Sequence, residues 1–203
     1  GNVGALRQAG IRRMLAYSSI AQAGYLLVGV LCYSALGVAA TTFYLTIYFA
    51  MSFSAFSIAG WVEEEMGIVR VEDARGLANG APLLAALTVL FMVGLTGLPP
   101  TAGFIGKLEL FLAGFETYQR TGEVRVMIAL VAMLLNTVIS LFFYLRLPVR
   151  MIFQNSPNKS ASQFHGLVPV LTLILAIPVL WLGILHYDRL INFFLTLVPV
   201  YNG

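Results

Sequence analysis

Lys107 is the residue whose type and place are hardest to account for without chemistry. It follows Gly97-Leu98-Pro99-Pro100-Thr101-Ala102-Gly103 and has Phe104, Ile105, Leu108, Leu110, Phe111 and Leu112 as its sequence neighbours. A lysine placed centrally in a membrane helix costs roughly 2.5–3.5 kcal/mol on insertion scales. Burial disfavours its charged form, so such a group can take up and release a proton as its neighbours change. That is the chemistry of a proton relay, and it makes Lys107 the candidate catalytic group. A lysine near a helix end can instead stretch its stem to the interface, but the run from Lys107 to Glu116 is mostly apolar. Glu109, two residues on, lies roughly 200° around a helix and faces away from the lysine.

The element that must position this lysine is the break ahead of it. Leu83 to Leu95 reads as one half-helix and Phe104 to Ala113 as another. Between them, Pro99 and Pro100 remove two backbone donors, while Gly97 and Gly103 release the chain from helical dihedrals. Unmet carbonyls in hydrocarbon cost several kcal/mol each, so a break persists only against protein or a water-filled cavity. Half-helix ends of this kind carry ion sites in transporters; the plainer reading is a proline kink packed by its neighbours. A second set of polar residues occupies the other apolar stretches. Ser18, Ser19 and Gln22 share a face of the first, Thr41, Thr42, Thr46, Ser52, Ser54 and Ser57 fall on the second, and Asn136, Thr137 and Ser140 on the fourth. Such groups ordinarily bond neighbouring helices together. The functional alternative is a hydrated path leading away from Lys107 through Ser18, Ser19, Gln22, Tyr48, Asn136 or Glu109.

Composition identifies the solvent. Of 203 residues, 59% are hydrophobic and 10% charged, against roughly 25% charged in an average soluble domain. Periodicity and length predict an all-α membrane protein with five spans, at about 13–34, 37–61, 80–115, 125–150 and 166–186, the third discontinuous at Gly97–Gly103. Trp61 suits an interface, Glu63-Glu64-Glu65 through Arg75-Gly76 reads as a polar loop, and 187–200 as a helix lying in the interface plane. Cys32, the single cysteine, excludes an internal disulfide and any multi-cysteine metal site. No metal-ligand cluster, catalytic triad or nucleotide-binding glycine loop is visible, so neither metal nor cofactor ligands are expected in this chain. His165 and His186 fall at span ends.

The formal charge of +3 needs no nucleic-acid partner, because the basic residues follow topology. With a cytoplasmic N-terminus, Arg7, Arg12, Arg13, Arg70, Arg75, Arg146, Arg150 and Lys159 lie inside and only Arg120, Arg125 and Arg189 outside, the bias that orients membrane helices. The opening Gly1-Asn2-Val3 has no initiator methionine and no signal-peptide pattern. Residues 1–203 are therefore expected to be a single transmembrane domain fragment, the C-terminal part of a longer chain.

Three motifs resemble one family in order and spacing. Arg12-Arg13-Met14-Leu15-Ala16-Tyr17-Ser18-Ser19-Ile20, followed by Gly24-Tyr25, is similar to the (K/R)RLLAYSSI…GY segment of the antiporter-like membrane subunits of respiratory complex I. Gly97 through Lys107 resembles their broken twelfth helix, and Tyr144-Leu145-Arg146 the end of their thirteenth. Lys107, where some members carry glutamate, favours the subunit N branch. The resemblance implies that the spans are the family's tenth to fourteenth helices. It also implies proton translocation, coupled to quinone reduction through buried charged residues, in a bacterial inner membrane. Its implied partners are other membrane subunits, lipid and protons. NADH, flavin, iron–sulfur clusters and quinone would belong to partner subunits, with no cofactor in this chain. Two positions depart from relatives: Gln22 stands where several members have histidine and cannot titrate, and Tyr48 stands where some sister subunits have histidine. Two further readings stay open. One is a cation/proton antiporter or membrane-bound hydrogenase subunit of the same fold. The other is a purely structural membrane subunit in which Lys107 is an internal counter-charge.

Overall fold

The structure, a computed structural model, describes residues 1–154, 164–184 and Thr196. Among the described residues every named element is helical: α1 (Asn2–Leu6), α2 (Ile11–Leu31), α3 (Ala35–Met66), α4 (Leu77–Gly80), α5 (Pro82–Thr96), α6 (Ala102–Thr121), α7 (Val124–Phe153) and α8 (Leu167–Ile184), with one 3-10 turn at Val71–Ala74. The ends follow local chemistry. Ser34 caps α3 by accepting a bond from the Gly37 N–H at 3.0 Å, and Gly67, at φ 65°, closes its far end in the left-handed region. Pro82 opens α5, where its missing N–H costs nothing.

α3 is central, packing against α2, α5, α6 and α8, while α7 closes the bundle against α2, α5 and α6. Phe43, Tyr44, Phe91, Phe143 and Tyr144 fill the interior with no exposed surface. Outward, Leu27, Phe49, Leu135, Phe142 and Ile177 stand exposed. An apolar interior inside an apolar exterior is the arrangement lipid requires, and the chain is an integral membrane protein. Four described helices, α2, α3, α7 and α8, are long and apolar enough to cross a membrane, and α5 is a shorter apolar helix.

Several boundaries differ from those expected. Glu63, Glu64 and Glu65 are not loop residues. They form the last turn of α3, which runs five residues past Trp61 to Met66. There the charges lie beyond the apolar run and Arg12 holds two of them, its Nε 2.9 Å from Glu63 and its Nη2 3.6 Å from Glu64. The second half of the broken span continues past Ala113 to Thr121 and stops at Gly122, φ 68°, because nothing before that glycine interrupts the helix. The hydroxyls of Thr41, Thr42, Thr46 and Ser54 do not join helices; each donates to the carbonyl four residues back on α3. With apolar neighbours, that carbonyl is the nearest acceptor. Lys159, His186, Arg189 and, Thr196 apart, the expected interfacial segment 187–200 lie outside the described residues.

Candidate functional site: a lysine held on the carbonyls of a broken helix

In an unbroken helix the carbonyls of Leu95 and Thr96 would accept from the backbone nitrogens of residues 99 and 100. Those residues are Pro99 and Pro100, which have no N–H. Gly97, at φ 85°, turns the chain out of the helix, and the N–H groups of Gly97 and Leu98 bond back to Val93. Leu95 and Thr96 are thus left with free acceptors at the negative end of α5. The chain then doubles back so closely that a Cβ on Gly103 would run into the Gly94 carbonyl.

Lys107, on the second turn of α6, takes these carbonyls. Its Nζ donates to the Leu95 oxygen at 3.1 Å and to the Thr96 oxygen at 2.8 Å. It is 5% exposed. An ammonium has three donors; two meet carbonyls, and on another side Nζ lies 4.5 Å from the centre of the Tyr25 ring, whose face attracts a cation. The helix dipole of α5 also favours positive charge at this end. The lysine that the sequence marked is therefore paired with backbone oxygens created by the sequence immediately before it.

Of the expected polar path, the structure brings Gln22 to this centre and Ser18 to its edge, within reach of the Tyr144 hydroxyl that Gln22 also meets. Gln22 Nε2 donates to the same Leu95 oxygen at 3.0 Å and to the Tyr144 hydroxyl at 3.1 Å, while Tyr44 donates its hydroxyl proton to Oε1. Ser18 and Ser19 turn onto the Leu15 carbonyl of their own helix, at 2.6 and 3.1 Å. Asn136 is linked to the centre indirectly: its Oδ1 and carbonyl accept from Asn2 Nδ2 at 3.1 and 2.8 Å, and the same Nδ2 donates to the Tyr25 hydroxyl at 3.4 Å. Tyr48 stacks on Tyr44, ring centres 6.4 Å apart. Glu109 is half-buried on another side of α6. His165 packs edge-on near Trp61, centres 6.1 Å apart. Tyr25, Tyr44 and Tyr144 join the site without a sequence signal of their own. A tyrosine among Leu and Phe looks like packing, and only the convergence of α2, α3, α6 and α7 reveals its hydroxyl or ring as part of a site.

The helical fold agrees with what the chain is similar to. Residues 1–140 match the family model described as NADH:quinone oxidoreductase/Mrp antiporter, TM. A relative from Sorangium cellulosum named NADH-quinone oxidoreductase subunit N 2 is 45% identical over 185 residues, covering 91% of this chain and 36% of the relative. A chain of respiratory complex I from Thermus thermophilus is 30% identical with TM-score 0.74, over 93% of this chain and 41% of that one. A chain of the Mrp complex from Dietzia sp. superposes at TM-score 0.85 over 99% of this chain and 45% of that one, at 22% identity, which speaks to fold alone. The chain spans about a third of the length of the curated relatives it matches.

Proposed function

The chain belongs to the NADH:quinone oxidoreductase/Mrp antiporter membrane family, and from that premise we propose that it is part of a subunit of the subunit N type, translocating protons in an NADH:quinone oxidoreductase. In this reading NADH, flavin, iron–sulfur clusters and quinone act in partner subunits of a bacterial inner-membrane complex, and this chain handles protons only. The observation that carries it is Lys107, buried and bonded to the two carbonyls that Pro99 and Pro100 leave without backbone partners.

Proton release has a structural consequence here. It turns one N–H of Nζ into a lone pair, so the amine can no longer meet two carbonyl oxygens and present a cation to Tyr25 at once. At least one contact must change with each transfer. A change in field along the membrane, driven by quinone chemistry elsewhere, would shift the balance between the two arrangements. The likeness in fold to an Mrp complex keeps the same apparatus available to a cation/proton antiporter, while the subunit N relatives at 40–45% identity favour the oxidoreductase.

The test is proton pumping by the reconstituted full-length assembly, with assembly checked on native gels. Lys107→Met removes the titratable group and relieves a desolvation cost of a few kcal/mol. It also leaves the Thr96 carbonyl without its donor, which offsets part of that relief; the variant is expected to assemble and to lose coupled pumping. Lys107→Arg is expected to fail also, because a guanidinium keeps its proton at any accessible pH. A structural counter-ion gives the reverse order: arginine is tolerated, and methionine strands a buried opposite charge and destabilises the assembly. Intact pumping by the methionine variant ends the relay reading.

A further inference from the structure

Gln22 sits where four helices meet. From α2 its side chain reaches Leu95 at the broken end of α5, Tyr44 on α3 and Tyr144 on α7, and it is 1% exposed. The orientation of its amide is dictated by its partners. The Leu95 carbonyl can only accept, so the NH2 group must face it; reversed, two acceptor oxygens would oppose each other in a buried site. Tyr44 then occupies the remaining oxygen as a donor.

Two donors, Lys107 Nζ at 3.1 Å and Gln22 Nε2 at 3.0 Å, therefore converge on one carbonyl oxygen. A proton hop needs a continuous donor-to-acceptor sequence, and here the sequence runs inward from both sides and stops. Passing a proton from Lys107 to Tyr144 through the amide would require protonating Oε1 and removing a proton from Nε2. Lys107 Nζ donates to Leu95 and Thr96 and not to Oε1, which accepts from Tyr44. We propose that Gln22 is a positioning residue: it fixes the Leu95 carbonyl in place for Lys107 and insulates the lysine from Tyr144, so that the proton of Lys107 leaves by a route other than this cluster. The proposal rests on the relay reading of Lys107.

It is tested in the full-length, assembled and reconstituted complex by measuring proton pumping across pH for Gln22→Met, Gln22→His and Tyr44→Phe beside Lys107→Met. Methionine keeps the shape of glutamine and loses every bond, and pumping is expected to fall roughly tenfold, the scale of one lost hydrogen bond at a charged site. The pH of half-maximal pumping should move as well. Histidine returns a donor to Leu95 and should recover part of the pumping, while its titratable ring breaches the insulation and adds a second step to the profile. Tyr44→Phe keeps the ring and frees Oε1; it is expected to displace the profile in the same way as methionine, and it decides the matter if Gln22→Met does not assemble. Wild-type rate and profile in Tyr44→Phe, or in an assembled Gln22→Met, overturn the proposal. If Lys107→Met pumps normally the relay reading falls first; if it is defective while the Gln22 and Tyr44 variants are normal, only the positioning role falls.

Discussion

At the scale of residues, Gly97 and Lys107 form one unit. Gly97 holds φ at 85°, and a Cβ there would lie 2.7 Å from Lys107 Cδ. Gly97→Ala therefore imposes two penalties. The left-handed conformation costs a non-glycine residue roughly 1–2 kcal/mol, and the new methyl pushes against the stem that carries the ammonium to Leu95 and Thr96. The variant is expected to assemble with a lower thermal midpoint and to pump several-fold less than the parent. Ala at Gly122, also at positive φ but with nothing within 4 Å of a Cβ, carries the strain without the collision. It is the control: a Gly122→Ala variant that loses as much pumping as Gly97→Ala would show that backbone strain alone is responsible.

At the scale of elements, the break between α5 and α6 creates the acceptors that the lysine uses. Replacing both Pro99 and Pro100 with alanine restores two N–H groups and removes the ring clash. A continuous helix would then satisfy Leu95 and Thr96 through its own backbone and leave Lys107 without its oxygens. We expect the double variant to assemble and to pump poorly. The check has two parts: a structure showing whether the helix has closed, and a pumping rate. Normal pumping by a demonstrably continuous helix would make the break irrelevant to transport. Gly183 of α8 packs so closely on Pro100 and Thr101 that a Cβ there would collide with their backbone, so the fifth span serves as a wall behind the break.

At the scale of the molecule, contacts gather the basic residues at one end of the bundle. Arg12 pairs with Glu63 and Glu64 at the end of α3, Gly10 pairs with Arg70 across an antiparallel bridge, Gly76 N–H bonds the Arg150 carbonyl at 3.2 Å, and Arg146 reaches the carbonyl of Gln8. Arg120 and Arg125 flank the turn between α6 and α7 at the other end. The excess of arginine predicts that the first end faces the cytoplasm. Cysteines placed at Glu64 and Thr121, both on α-helix ends, are expected to label from opposite faces of the membrane, with buried Cys32 silent. Labelling of both from one face would contradict the bundle as well as the orientation.

Much of this was determined by the sequence alone. Apolar run lengths specify spans, Pro99-Pro100 between glycines specifies a break, and a lysine beyond it specifies a buried cation; each is a local rule about backbone donors or solvent. The position of Gln22 was legible as polar, and its departure from the histidine of several relatives made it conspicuous. What the sequence left open is which polar groups meet. Ser18, Ser19 and Gln22 share one helix face, yet only glutamine has the length to cross to Leu95, while the serine hydroxyls find a carbonyl within their own turn. Tyr25, Tyr44 and Tyr144 are far apart in sequence and are joined to the lysine or to Gln22 only by the packing of α2, α3, α6 and α7. Local rules state that an orphaned carbonyl must find a donor. Which donor reaches it depends on distances of about 3 Å between separate helices, and only tertiary packing decides those.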